Sequence, residues 1–258
     1  MSETDEFTVQ RYRAILERAT SLEYQIVPFR ECNAVIDELT LLLRHDLDHS
    51  LGPAIIMAEL EADLKISSTY FVQIACEFYN LLAPHGRSTI RRLADLGHEI
   101  GLHYEAERYL GDDGRVKLRA DIRMLQDLSG QPVVSAAQHL PIDSVHVSVA
   151  PEIRNEAYEP RFTQGDLTYL SDSLMTWRQA RPEELLERRQ SFQFLTHPEN
   201  WTEPGGCIET VLDELMRAEL MQTRRRYDEV KDYYQHLLET REDRDRQFRQ
   251  RQNATEMR

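Results

Sequence analysis

One recurring unit constrains this chain more than any other feature. A short apolar or β-branched run ends in an ionisable side chain, and a helical segment follows. Leu39-Thr40-Leu41-Leu42-Leu43 runs into Arg44-His45-Asp46-Leu47-Asp48. Glu99-Ile100-Gly101-Leu102-His103, Val133 to Ala137 with His139 just beyond, Thr168-Tyr169-Leu170-Ser171-Asp172 and Phe192-Gln193-Phe194-Leu195-Thr196-His197 repeat the pattern. Ser68-Thr69-Tyr70-Phe71-Val72 is a further run rich in β-formers, and Gln25 to Phe29 reads as a short strand ending near Pro28. Continuous apolar runs of this length fit strands buried on both faces of a parallel sheet. Helical spacing spans 7–23, the segment entered at Pro53, 87–96 up to Gly97, 115–129 up to Gly130, and 182–190. Strands and helices in alternation predict an α/β fold with parallel strands.

The chain has 258 residues, 41% of them hydrophobic, which suits one sizeable core. We expect a barrel domain over 1–207 and an appendage over 208–258. In the appendage, Ile208, Val211, Leu212, Leu215 and Leu220 form an apolar stripe on one long helix, a surface for a homo-oligomer contact. From Thr240 on, the chain is almost wholly Arg, Asp, Glu and Gln, and frayed or disordered chain is expected there. A net charge of -14 argues against nucleic acid or an anionic membrane as partner. The cysteines Cys32, Cys76 and Cys207 are scattered, which fits neither a disulfide framework nor a cysteine zinc site. The N-terminus is acidic without an apolar h-region, and no run of about 18 apolar residues exists, so a cytoplasmic location is expected.

The chemistry lies where the strands end. The carboxyl ends of strands in a parallel barrel share one rim, and here they deliver Asp46, Asp48, His103, His139, Asp172 and His197. Asp46 and Asp48, two residues apart, fall on one side of a regular strand. Of two such carboxylates, one can hold a divalent cation while the other takes a proton from water, whose pKa the cation lowers. Histidine and carboxylate donors suit zinc or a neighbouring first-row metal. Arg44 shares the face of Asp46 and can pair with it, whereas His45 points away. Alternation with Ile100 and Leu102 sends His98 into a packed face.

Arg44-His45-Asp46-Leu47-Asp48, Ser68-Thr69-Tyr70-Phe71, Gly97-His98-Glu99-Ile100-Gly101-Leu102-His103 and Thr196-His197-Pro198, in this order, resemble the polysaccharide deacetylases, the NodB-homology or carbohydrate esterase family four. The likeness runs from about residue 40 to 201 and is nearest to a branch whose first motif reads Arg-His-Asp-x-Asp. It implies a single distorted (β/α)7-type barrel, here with a long C-terminal helix, one divalent metal, most simply Zn2+, and hydrolysis of an N-acetyl or related amide on a carbohydrate. Carried over by motif, Asp46 is the general base, Asp48 and His103 are metal ligands, and His197 is the general acid. Asp172 and Trp177 resemble the segment that buttresses the acid histidine and walls the pocket. The family's usual second histidine, four residues after the first, is Glu107 here. His139, at the end of the next strand and close to Pro141, is the better third ligand, and the branch carries a histidine-proline motif at that place.

Other assignments stay open on the sequence. Trp177 and Trp201 can stack on a sugar ring or fill the core. Arg161 can bind an anionic substrate group or form a surface salt bridge. Two rivals to the deacetylase reading follow: an inactive barrel kept as a binding or scaffold protein, motivated by Glu107, and a hydrolase of a small non-sugar amide or amidine.

Overall fold

The computed structural model describes residues 6–32, 39–141, 145–165 and 167–246. By internal contacts the chain divides into two units, Met1–Val211 and Leu212–Arg258.

The first unit is a parallel sheet bent into a distorted barrel with helices around it. Its strands are β1 (Gln25–Val27), β2 (Thr40–Leu47), β3 (Thr69–Gln73), β4 (Glu99–Tyr104), β5 (Ser135–Gln138), β6 (Asn155–Glu156), β7 (Thr168–Ser171) and β8 (Phe192–Thr196). The hydrogen-bonded order is β6-β5-β4-β3-β2-β8-β7, with β1 paired to the start of β2. Every pairing is parallel. Strand order thus follows chain order around a ring that opens between β6 and β7, among the described residues. The interposed helices are α1 (Val9–Ser21), α2 (Gly52–Asp63), α3 (Pro84–Asp95), α4 (Gly114–Ser129), α5 (Pro160–Thr163), α6 (Pro182–Glu187) and α7 (Pro198–Thr202). Gly130, at a left-handed φ of 73°, caps α4.

The two-residue period of the strands sorts the core. Leu41, Leu43, His45 and Leu47 of β2 face the helices, together with Tyr70, Val72, Ile100, Leu102 and Ala136 of its neighbours; Leu47 and these neighbours join one cluster. Leu42, Phe71 and Ala137 face the interior, where Phe29, Ala157, Phe162 and Leu167 complete a smaller cluster. Gly101 lies on that inner face, and a Cβ there would collide with the Phe71 ring. The same inner face, carried to the strand ends, sets Arg44, Asp46, Gln73 and His103 toward one rim.

Several boundaries move from the sequence expectation. β2 does not stop at Leu43 but runs on through Leu47, because β3 and β8 pair with its charged half. β6, α5 and α7 were not expected: each has two to five residues, too short to show a period. In the second unit, α8 (Ile208–Glu239) is a single helix of 32 residues whose first turn belongs to the barrel unit. Its Met216, Leu220, Tyr227 and Tyr234 are exposed. Residues 241–246 are helical too. Alternating charges there support local pairs such as Arg246 with Asp243 at 3.7 Å. The rest of that charged tail, and the first five residues of the acidic N-terminus, lie outside the described residues. No described helix is long and apolar enough to cross a membrane.

Candidate active site

The rim collects side chains that the sequence spreads over 150 residues. Asp46 ends the inner face of β2, and Asp48 follows the strand by one residue. His103 reaches them from β4: its Nε2 is 3.1 Å from Asp48 Oδ1 and 3.7 Å from Asp46 Oδ2. His103 Nδ1 lies 2.8 Å from the Ala137 carbonyl. A carbonyl only accepts, so Nδ1 carries a hydrogen and the ring is held with Nε2 toward the carboxylates. His139, one residue past β5, brings Nε2 to 3.9 Å from Asp48 Oδ2 and sets its ring 5.2 Å from that of His103. Ligand atoms of Asp48, His103 and His139 all lie within 4.8 Å of one another. Glu107 is exposed on the short helical turn Ala106–Tyr109 and is not part of this cluster; Glu105, not Glu107, approaches His139, at 3.8 Å.

His197 closes the site from β8. Its Nε2 is 3.5 Å from Asp48 Oδ2. Its Nδ1 is 2.6 Å from Asp172 Oδ1, and Asp172 Oδ2 accepts from the His197 backbone N–H at 3.0 Å and from Trp201 Nε1 at 2.8 Å. Asp172 is fully buried, so it fixes both the position and the charge of the imidazole.

The electrostatics follow from this crowding. Burial would raise the Asp48 carboxyl, but the imidazoles of His103, His197 and His139 outweigh it and hold the group well below the usual carboxylate range. Burial opposes protonation of His103 and His197. Asp46 and Asp48 overcome it for the first, and Asp172 for the second, which is raised well above an ordinary histidine. His139 goes the other way, lowered by burial and by the neighbouring His103.

Arg44 is completely buried beneath Asp46. One Nη donates to Asp46 Oδ2 at 2.7 Å and to the Tyr158 hydroxyl at 2.9 Å, the other to Gln193 Oε1 at 3.0 Å. Asp46 Oδ1, in contrast, is buried and has no hydrogen-bond partner among the described residues. The paired oxygen anchors the carboxylate and the bare one is left for a donor from outside the chain.

A carboxylate and two imidazoles, one oriented by a backbone carbonyl, make a possible metal site, and the donor chemistry fits zinc or a similar first-row ion.

Three candidates for a substrate or supporting role, Trp201, Trp177 and Arg161, make their contacts with protein neighbours, and Trp201 supports the site through its bond to Asp172. Trp201 is 2% exposed and packs on Phe7, Tyr12 and Phe194. Trp177 stacks on Phe7 with ring centroids 5.2 Å apart. Trp201 thus belongs to an aromatic core with Phe7, Tyr12 and Phe194, while Trp177 is half-buried with the Phe7 ring stacked on it. Arg161 bonds Glu159 at 2.6 Å and Asn155 Oδ1 at 3.1 Å, and lies over the Phe162 ring. It is a local salt bridge with no bond to the cluster.

The sequence did not single out Tyr158 and Gln193, which hold Arg44, or the rim pair His49 and Glu199, 2.9 Å apart. It also passed over Glu61, fully buried on the outer side of β2. Glu61 carried a signal: it continues the helical stripe Ala54, Met57, Ala58 at i+7, where an apolar residue belongs.

No protein-family model matches the chain, and no curated protein sequence does. Among solved structures the chain is similar to family 4 carbohydrate esterases. One is a CE4 family pseudoenzyme from Bacillus anthracis, at 15% identity and a TM-score of 0.43 over 70% of this chain; the match spans 62% of the pseudoenzyme, less than two thirds of its length. A second is a family 4 carbohydrate esterase from Bacillus anthracis, at 12% identity and a TM-score of 0.39, over 80% of this chain and 86% of that one. A third is the peptidoglycan deacetylase PdaC from Bacillus subtilis, at 12% identity and a TM-score of 0.37, over 74% of this chain and 98% of that one. Likenesses this distant do not bear on the chemistry of the rim.

Proposed function

We propose that the chain is a metal-dependent amide hydrolase that removes an N-acetyl group from a carbohydrate or a sugar-containing intermediate. One observation supports this reading: Asp46, whose Oδ2 is 3.7 Å from His103 Nε2 and whose Oδ1 takes no hydrogen bond among the described residues, adjoins the Asp48–His103–His139 cluster, and the Asp172-bound imidazole of His197 comes within 3.5 Å of Asp48 Oδ2. Asp48, His103 and His139 would hold the metal, with Zn2+ the ion that best suits the donors. When bound, the metal polarises the amide carbonyl and acidifies water.

The chain's own groups supply the rest. Asp46 accepts the proton of the attacking water at Oδ1, while Arg44 keeps Oδ2 engaged. His197, kept protonated by Asp172, donates its Nε2 proton to the departing nitrogen. The acyl carbon then leaves as acetate and the sugar as a free amine.

Metal analysis of the purified protein, followed by assay on an N-acetylated sugar after metal addition, tests the reading. Less than about a tenth of an equivalent of tightly bound divalent metal, with no hydrolysis after metal is restored, would overturn it. Asp46→Asn keeps the shape and removes the base, and we expect kcat to fall about 10²–10⁴-fold. A variant with full activity would remove Asp46 from that role.

A further inference from the structure

Beside the cluster, the loop after β3 holds an aromatic ring in the open. Phe78 is 62% exposed, although its loop is tied firmly to the segment that carries Asp48. The Tyr79 hydroxyl donates to the Leu47 carbonyl at 2.7 Å and accepts from the Gln73 backbone N–H at 3.0 Å. The Cys76 thiol donates to the Asp48 carbonyl at 3.4 Å, and the Phe78 backbone N–H donates to that sulfur at 3.4 Å. The ring is therefore held at a set place on the rim, at the cost of leaving most of a large apolar side chain in water.

His49 stands next to it, with ring centroids 5.1 Å apart. Its Nδ1 lies 2.9 Å from Glu199 Oε1, and Glu199 is 1% exposed, so the imidazole is pinned from behind. Nδ1 faces a carboxylate and carries a hydrogen, while Nε2 is not buried and takes no hydrogen bond among the described residues. An open apolar face and an open polar atom thus sit side by side, one residue from Asp48.

A sugar ring has the matching chemistry. One face of a pyranose presents C–H groups that pack on an aromatic ring, and its edge carries hydroxyls that both donate and accept. Either protonation state of His49 can bond such a hydroxyl. A small amide has no comparable face. We infer that Phe78 and His49 form a sugar-binding subsite on the rim, where one ring of an N-acetylated saccharide stacks on Phe78 and bonds His49 Nε2. This deepens the deacetylase reading and rests on it for the placement of the acetyl group.

The test is binding rather than turnover. A β-1,4-linked N-acetylglucosamine trimer is titrated calorimetrically into the full chain and into Phe78→Ala, Phe78→Tyr, His49→Ala and Tyr233→Ala, with thermal midpoints measured beside. Phe78→Ala should weaken binding about tenfold, the change that 1.4 kcal/mol carries, and His49→Ala by a smaller factor. Phe78→Tyr should retain binding, as should Tyr233→Ala, which removes an exposed aromatic on α8. If Phe78→Ala melts early, His49→Ala decides the matter, because it leaves Phe78 in place. No binding by the unaltered chain, an unchanged Kd in both Phe78→Ala and His49→Ala, or an equal loss in Tyr233→Ala would overturn the subsite. Phe78-dependent binding without any hydrolysis by the metal-loaded chain would sink the hydrolase reading and leave the subsite standing. Hydrolysis with binding indifferent to Phe78 would do the reverse.

Discussion

The two faces of β2 carry two histidine–carboxylate clusters of similar composition and opposite design. On the outer face, Glu61 sits with Oε1 2.8 Å from His45 Nε2 and 2.6 Å from the Tyr12 hydroxyl, and Oε2 2.6 Å from the Ser68 hydroxyl and 3.3 Å from that of Tyr70. His98 Nε2 faces the Ala58 carbonyl at 3.0 Å and its Nδ1 accepts from the Ser68 backbone. Every carboxylate oxygen there has a donor from the chain, and Glu61, His45 and His98 are wholly buried. On the inner face Asp46 keeps one oxygen bare, and Asp48 and His197 retain some exposure. The clusters thus differ in which atom lacks a hydrogen bond among the described residues: His45 Nε2, 2.8 Å from Glu61 Oε1, on the outer face, and the carboxylate oxygen Asp46 Oδ1 on the inner. A buried cluster whose carboxylate is fully occupied by donors of the chain joins elements of the fold; one whose carboxylates keep an unused oxygen and some exposure has capacity for a ligand.

The outer cluster also ties the structure together behind the site. His45 Nδ1 lies 2.6 Å from Thr196 Oγ1, so Glu61 on α2, β2 and β8 are joined just behind Asp46 and His197. Burial alone would raise the Glu61 carboxyl, but the His45 imidazole and its other donors bring it down to about 2. A carboxyl held below its unfolded value stabilises the fold above that unfolded value, and the contribution fades as pH falls through the folded one.

Three experiments test the contrast. The largest effect should come from Glu61→Ala, which strands buried donors and should cost about 3–5 kcal/mol of stability by denaturant titration, without altering metal content in the folded fraction. A stable Glu61→Ala protein that has lost its metal would dissolve the distinction between the clusters. Next, His139→Ala should weaken metal binding by no less than the roughly 10–100-fold that losing an outer partner costs, while Glu107→Ala leaves it unchanged, both by competition with a chelator. Metal lost from the Glu107 variant alone would move the third ligand. The smallest effect is a displacement. Asp172 raises His197, so the acid form persists to higher pH and the rate declines as pH climbs through the raised value. Asp172→Asn should move that alkaline limb of the kcat profile toward lower pH. An unmoved limb would separate His197 from the acid role.

The paired acids, the strand-terminal histidines and the alternation of strand and helix were legible in the chain because each is local. A two-residue period tells which of Arg44, His45 and Asp46 share a face, and His98 fell on the packed side as that period requires. Arg161, Trp177 and Trp201 were ambiguous for the opposite reason: an arginine or tryptophan suits a ligand and a protein neighbour equally well, and the neighbour comes from elsewhere in the chain. From the N-terminal segment Phe7 stacks on Trp177 and Tyr12 packs on Trp201, and Glu159 and Asn155 bond Arg161.

By itself, then, the sequence determined the periodicities: which segments become strands, which side chains share a face, and which strand ends carry charge. Tertiary structure decided which of those ends meet. It brought His139 to Asp48, left Glu107 in solvent, set Asp172 behind His197 and sealed Glu61 away from the rim. The physical reason is that face and period are set by bond geometry within a few residues, whereas partnership depends on closing long loops and on which groups remain unpaired once the core is packed.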